Sequence, residues 1–546
     1  MNKAVISLAI LLIIIVSSCG NRFDAPAGKS VFRYNESAGI TSLDPAFARD
    51  QANIWACNQL YNGLVQLDDN LNVAPSVAKK WSVNDSGRLY TFTLRQDVFF
   101  HDWQGFPDGK GRKVTATDFE YSLKRILNPA TLSPGAVWLK NIIHKDSSGY
   151  CVKTLNDSTL TIKLRSPFAP FLGRLSMPYF SVVPKEAVEF YGEDFGRNPV
   201  GTGPFYFKMM KEGVKLVLLK NEHYFEFEDG RRLPYLDAVA VSFIIDKQSV
   251  FLEFIKGNLD FMSGIDPSYK DELLQPDGSL NPKYAGRLNM LTKPYLNTEY
   301  LGFMMDTAFV KAGSPLRLKK IRQAINYGFD RKKMMRYLRN NIGIPGENGF
   351  VATGMPGFGN DVTKGYTYQP EKAKKLLAEA GYPFGRGLPS ITLSTTSAYV
   401  DIGKYMQQQL GELGIKINID IHQPAALRQM IANSRIPFFR GSWIADYADA
   451  ENYLALFYSK NFCPKGSNYT HYYNAEFDKL YEQARKTTDD SVRISLYRRM
   501  DQLITNDAPF VILYYDEVLR FTHKNIKGLG INSMNILNLK RTRKEG

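Results

Sequence analysis

Residues 440–447 read Arg-Gly-Ser-Trp-Ile-Ala-Asp-Tyr, a run that combines a cation, an anion and two aromatic rings. Arg440 stands three residues before Trp443, and Asp446 three after it. A guanidinium presents a planar fork of donors that suits a carboxylate. A carboxylate shut inside a cleft must find a cation, because an unpaired buried charge is expensive. Together the two residues favour a zwitterionic ligand. Gly441 and Ser442 would let a ligand backbone approach a strand edge, and main-chain hydrogen bonds hold a peptide whatever its sequence. Trp443 and Tyr447 would wall a side-chain pocket. Each residue also has a plainer role open to it. Asp446 can cap a turn or pair with a lysine, Arg440 can sit in a structural ion pair, and the two rings can belong to a core.

Other chemistry leaves no such trace. The six histidines, His101, His144, His223, His422, His471 and His523, form no HExxH or other metal-ligand spacing. No GxSxG elbow occurs, and no two carboxylates can be assigned as acid and base. Gly201-Thr202-Gly203-Pro204 lacks the GxxxxGK[ST] pattern and runs into strand-like Phe205-Tyr206-Phe207, so it reads as a backbone turn at an inter-domain crossing. The expectation is a binding protein with no catalytic residues, no metal and no cofactor. Cys57, Cys151 and Cys463 form an odd set, in which at most one disulfide could close.

The N-terminus carries Lys3 and then thirteen residues, Ala4–Val16, that are apolar except for Ser7. A membrane span needs about 20 apolar residues, so this run fits the core of a signal peptide. It ends in Val16-Ser17-Ser18-Cys19, which resembles a bacterial lipobox. Residues 1–18 are then a lipoprotein signal peptide, and Cys19 is the lipidated first residue of the mature chain. Several acyl chains anchor durably, since each buried CH₂ contributes roughly 0.8 kcal/mol. Residues 19–30 are small and polar and read as a tether. The formal charge of +15 admits nucleic acid, anionic lipid or acidic ligands as partners. Export and the lack of any nucleic-acid-binding pattern argue against the first.

The elements that must position these groups alternate between strands and helices. Leu89–Leu94 and Thr159–Leu164 alternate apolar and polar residues, as half-buried strands do. A helix is expected from a capping Thr117 through Ile126, another from Pro370 to Ala380 before Gly381, and a third from about Ser491 to Thr505 with Leu496, Met500, Leu503 and Ile504 on one face. At 546 residues, two or three α/β or α+β domains are expected.

Several segments, taken in order, resemble the family 5 extracellular solute-binding proteins, the dipeptide and oligopeptide receptors of ABC transporters. They include Thr41-Ser42-Leu43-Asp44-Pro45, Leu60-Tyr61-Asn62-Gly63-Leu64-Val65, Pro75-Ser76-Val77-Ala78-Lys79-Lys80-Trp81, Val200-Gly201-Thr202-Gly203-Pro204-Phe205, Tyr368-Gln369-Pro370-Glu371-Lys372-Ala373 and Trp443-Ile444-Ala445-Asp446-Tyr447. One departure is the long segment Trp103–Lys113, which delays the next helix start.

The resemblance implies an α/β, two-lobed periplasmic-binding-protein fold, class II-like, with an extra domain in the first lobe and two hinge strands. Residues 31–70, 198–285 and 515–546 would form the core of lobe I, 71–197 its extra domain, and 286–514 lobe II. By the same resemblance Asp446 pairs with a peptide's α-ammonium and Arg440 contacts a carboxylate. Trp443, Gly441, Ser442 and Tyr447 line the site, and Ile40 and Thr41 lie on a cleft-lining loop. The implied partners are an oligopeptide, an ABC permease with its ATPase subunits, and a membrane reached through the anchor. The receptor would be a monomer facing the periplasm. Nickel chelates, haem, opines or oligosaccharides are alternative cargoes known in relatives, and an exported hydrolase on this scaffold is the remote alternative.

Overall fold

The computed structural model describes residues 28–266, 268–360 and 362–545. The signal segment, Cys19 and all of the tether before Gly28 lie outside the described residues.

The first strand among the described residues is the half-buried β1 (Val31–Asn35), which buries Phe32 and Tyr34; helix α1 (Gln51–Leu60), whose N-cap is Asp50, follows. Strands β2 (Ala78–Asn84) and β3 (Leu89–Leu94) form a hairpin, with Tyr90, Phe92 and Leu94 buried on one face of β3. Helix α2 (Ala116–Leu127) is capped by Thr115 rather than Thr117. The Asp118 carboxylate reaches back to accept from the Thr115 N–H at 2.8 Å, and two-pronged contacts from Arg112 hold it there. This reciprocal cap outcompetes the later threonine. Strands β4 (Val152–Asn156) and β5 (Thr159–Lys163) complete a four-stranded antiparallel sheet in the order β2-β3-β5-β4. Helix α3 (Phe171–Leu175) buries Phe171 and Leu175 against the first hydrophobic core.

The large sheet is built from β1 together with β6 (Phe205–Lys211), β7 (Lys215–Lys220), β8 (Ala238–Ser242), β9 (Phe261–Ser263), β10 (Leu288–Phe303), β11 (Ile344–Pro345), β12 (Ile391–Thr395), β13 (Ile417–Ile421), β14 (Phe438–Ile444) and β15 (Phe510–His523). Its order is β6-β7-β8-β1-β9-β15-β10-β14-β12-β13, with β11 added on β15. Strands β10 and β15 are much longer than the rest and run through both halves. Leu288–Pro294 pairs with Glu517–His523, and Thr298–Gly302 pairs with Phe510–Tyr515. Between Pro294 and Thr298 the register shifts. Such a bulge bends a strand pair locally. The two halves therefore meet at an irregular crossing, and each carries its own hydrophobic core. One core gathers around Phe32, Trp55 and Phe205, the other around Tyr300, Phe350 and Phe510. This is the two-lobed α/β architecture that the sequence resemblance implies.

Helix α4 (Pro370–Glu379) starts on its proline and is followed by Gly381 at φ +90°, a left-handed position that glycine takes without a steric penalty. Helices α5 (Glu451–Leu454), α6 (Ala475–Lys486) and α7 (Asp490–Asp507) pack on the second core. Cys57, Cys151 and Cys463 are all buried and unpaired. Among the described residues, no helix is long and apolar enough to cross a membrane.

Candidate functional site

Gly201 and Gly203, which superficially suggest a phosphate loop, instead let two backbones approach. A Cβ on Gly201 would come within 2.1 Å of the Leu60 carbonyl oxygen, and the Gly203 N–H donates to that same oxygen. The crossing they make lies beside α1, whose first turn faces a cavity of about 340 Å³. That volume sits at the small end of the roughly 300–1,000 Å³ typical of ligand sites. The cavity wall draws on distant stretches of chain: Arg49 and Ile54 at the start of α1, Tyr179, Tyr295 in β10, Asp446 just past β14, and Met534 near the C-terminus. Tyr295 falls within the register shift of β10, so the cavity abuts the crossing between the lobes.

Asp446 is the chemically distinctive wall residue. It is half-buried, and among the described residues its side chain hydrogen-bonds to Asn452. The Asn452 side-chain oxygen accepts from the Trp443 indole N–H at 2.9 Å and from the Asp446 backbone N–H at 3.3 Å. An indole N–H can only donate, so it fixes the orientation of the amide. The amide nitrogen then donates to the Asp446 carboxylate at 3.2 Å. Burial pushes the Asp446 carboxyl above the usual range, while the Asn452 hydrogen bond and the more distant charge of Arg174 draw it partly back. Among the described residues no cation lies within salt-bridge distance of it. Burial makes a lone negative charge costly, so a carboxylate in such a setting favours the approach of a cationic group.

Of the eight residues singled out from the sequence, Asp446 alone lines this cavity. Arg440 sits six residues away on β14, opposite Leu301. Its guanidinium pairs with the buried Glu299 carboxylate and lies 3.4 Å from the centre of the Tyr399 ring. The structure therefore does not bring Arg440 and Asp446 to one place. The Ser442 hydroxyl lies within hydrogen-bond reach of two acceptors, Asn297 Oδ1 at 2.9 Å and Glu299 Oε1 at 2.8 Å, and donates its one proton to either. Gly441 makes room for an aromatic ring, since a Cβ there would lie 2.5 Å from Cζ of Tyr300. Ile40 is buried in the first core, and Thr41 exchanges two hydrogen bonds with Asn53, at 2.9 and 3.0 Å. Trp443 packs against the second core and positions Asn452.

Tyr447 has a different part. It comes from the second half of the chain but packs into the first core. Its hydroxyl donates to Glu451 and accepts from Arg174 at 2.7 Å. Arg174, on α3, also reaches Glu451 at 3.3 Å, and its guanidinium lies over the rings of Phe168, Tyr447 and Trp138 at 4.4, 4.8 and 5.4 Å. Burial alone would raise the Glu451 carboxyl. The charges of Arg174 and Arg485 and the hydroxyls of Tyr447 and Tyr481 hold it below the usual range. A cation from one lobe is thus caged by aromatic rings and a buried carboxylate beside Asp446.

Sequence reading missed Arg49, Tyr179, Tyr295 and Asn452. Asn452 had a local signal, an amide six residues beyond Asp446 at the start of α5. The other three are brought in by folding from stretches with no marked pattern. Among the described residues, no group of three His, Cys, Asp or Glu side chains could hold a metal.

The family model for bacterial extracellular solute-binding proteins, family 5 middle, matches residues 72–462. The chain is 26% identical over 499 residues to the dipeptide-binding protein of Escherichia coli K12, with 87% of each covered. It is 27% identical over 518 residues to the glutathione-binding protein GsiB of Salmonella typhi, with 93% of each covered. Among solved structures it resembles the periplasmic binding protein DppA of Helicobacter pylori, in complex with the peptide STSA. That match has a TM-score of 0.74 and 25% identity, and covers 95% of this chain and 98% of that one. With the family match spanning most of a two-lobed chain, the protein belongs to the family 5 bacterial extracellular solute-binding proteins.

Proposed function

We propose that this receptor captures an oligopeptide between its lobes and delivers it to an ABC permease, and that Asp446 receives the peptide's α-ammonium. The observation that carries this reading is the Asp446 carboxylate, which lines the cavity with, among the described residues, no cation within salt-bridge distance of it. A peptide ammonium supplies the missing charge, and closure around it removes water from the pair, which strengthens the attraction. The dipeptide- and glutathione-binding relatives, and the peptide named with the Helicobacter structure, support a peptide-like cargo. Ligand contacts from both lobes favour the closed form, because a ligand shifts an equilibrium only by its differential affinity for the two states.

In this reading the protein is a monomer, tethered through lipid on Cys19 and facing the periplasm. The anchor keeps it at high effective concentration beside its permease and ATPase subunits. Its lobes divide at the boundaries drawn from the sequence, and the cargo leaves unaltered. The test is native mass spectrometry of the protein purified without denaturation. Peptide masses released from the complex are the expected result. Release of only a sugar, a haem or a metal chelate would overturn the peptide assignment.

A further inference from the structure

Resting on the peptide reading above, we propose that Arg49 is the ligand's second anchor, taking its carboxylate, and that the cargo is therefore a short free-acid peptide. Asp446 supplies one charge in the cavity. Arg440, the cation the sequence offered for the other, is committed to Glu299 and Tyr399 outside it. Among the residues that line the cavity, Arg49 is the sole lysine or arginine. Its side chain is exposed, and no hydrogen bond or ion pair within the described chain engages it. Its acidic neighbour Asp50 is already occupied, with Oδ1 accepting from the Asn53 N–H at 3.0 Å as the cap of α1.

The two charges come from different parts of the fold. Arg49 stands just ahead of α1 in the first lobe, whereas Asp446 follows β14 in the second. Both lie within electrostatic reach of one group, the Tyr179 phenol, which lines the same cavity. A zwitterion spanning the two would bind each lobe through a different end and draw the lobes together. In a cavity of about 340 Å³ its backbone must be short. The rest of the lining mixes apolar residues such as Ile54, Met177 and Met534 with polar ones such as Gln51, Asn58 and Ser176, and Asp50 is its other carboxylate. Methionines in particular adapt to varied side chains.

The experiment titrates four forms of one dipeptide or tripeptide into wild type and Arg49→Gln: free, N-acetylated, C-amidated, and blocked at both ends. Hydrogen bonds to a charged group set the expected scale, so wild type should prefer the free acid over the amide by about tenfold or more. Arg49→Gln should lose that preference while still discriminating against N-acetylation, and Arg49→Lys should retain part of it. Because Arg49 is exposed, the variant should melt at the wild-type temperature, which separates lost recognition from lost folding. Equal wild-type affinity for acid and amide would overturn the Arg49 assignment and leave Asp446 standing if acetylation still weakens binding. Failure of every peptide form to bind would overturn both assignments.

Discussion

Replacing Arg174 with methionine tests whether its cage of Tyr447 and Glu451 helps to hold the lobes shut. The substitution keeps an apolar stem against Phe168 and Trp138 but removes the guanidinium that bridges to Tyr447 and Glu451. In the closed form Glu451 would remain buried, with the hydroxyls of Tyr447 and Tyr481 still donating but its close cation gone. Breaking one side of a buried ion pair typically costs about 3–5 kcal/mol. The surviving hydrogen bonds and the charge of Arg485 place this case at the lower end, about 3 kcal/mol. In the open form Glu451 can meet water, so the cost falls on closure rather than on folding. At 1.4 kcal/mol per tenfold, apparent peptide affinity should drop by roughly a hundredfold, mostly through faster dissociation. Calorimetry and stopped-flow release would measure the affinity and the rate. Small-angle scattering should find the ligand-free variant more extended than wild type. Adding Glu451→Gln should restore much of the affinity, because no unpaired charge is then left behind. Unchanged affinity and dimensions in Arg174→Met would refute the reasoning. So would a lowered melting temperature with intact affinity, since that result would make the cage a folding element only.

Three other outcomes are expected. On the proposed reading, peptide binding requires the Asp446 carboxylate to be ionised, and burial raises its pKa. Calorimetric affinity should therefore begin to fall with acidification before an ordinary aspartate titrates, and Asp446→Asn should abolish that pH dependence. His101 is buried and neutral, with Nε2 donating to Gly203 O at 3.0 Å and Nδ1 facing the Gly201 N–H at 3.3 Å, and burial lowers its pKa to about 4. Because its folded pKa lies below the unfolded value near 6.5, its contribution is present above 6.5 and is lost as pH falls toward 4. The loss is on the order of 3 kcal/mol, measurable in urea titrations across that window against His101→Gln. Finally, Gly441→Ala would push a methyl into Tyr300 and should cost about 1–3 kcal/mol in denaturant unfolding. No loss would mean that Tyr300 yields easily.

The fold was legible where the sequence carried periodicity or punctuation. The alternation of Leu89–Leu94 marks β3, and Pro370 with Gly381 brackets α4. The cap of α2 was misplaced by two residues because Thr115 and Thr117 are chemically equal in sequence. Only the reach of Asp118, itself held by Arg112, distinguishes them. Of the candidate site, the acid three residues past a tryptophan, Asp446, is the residue that the structure places on the cavity wall. Arg440 lies in the same run, but strand alternation and the buried Glu299 turn it to another environment. Tyr447 was named as a pocket ring, whereas its hydroxyl belongs to the Arg174 cage. Arg49, Tyr179 and Tyr295 carry no local pattern at all. Their placement is set by the long strands β10 and β15 and by α1, which bring stretches hundreds of residues apart to one cavity. Pairing across such distances is a tertiary property that no window of sequence contains.

The central claim is that a peptide's terminal ammonium completes the charge of Asp446. It is tested most directly by calorimetric titration of wild type with one short peptide in free and N-acetylated forms, beside the same pair on Asp446→Asn. Truncating one partner of a desolvated charge pair typically costs about 2–5 kcal/mol, so acetylation should weaken binding to wild type by at least about thirtyfold. Asp446→Asn should bind the two forms with nearly equal, weak affinity. Equal affinity of wild type for the free and acetylated peptides would contradict the account.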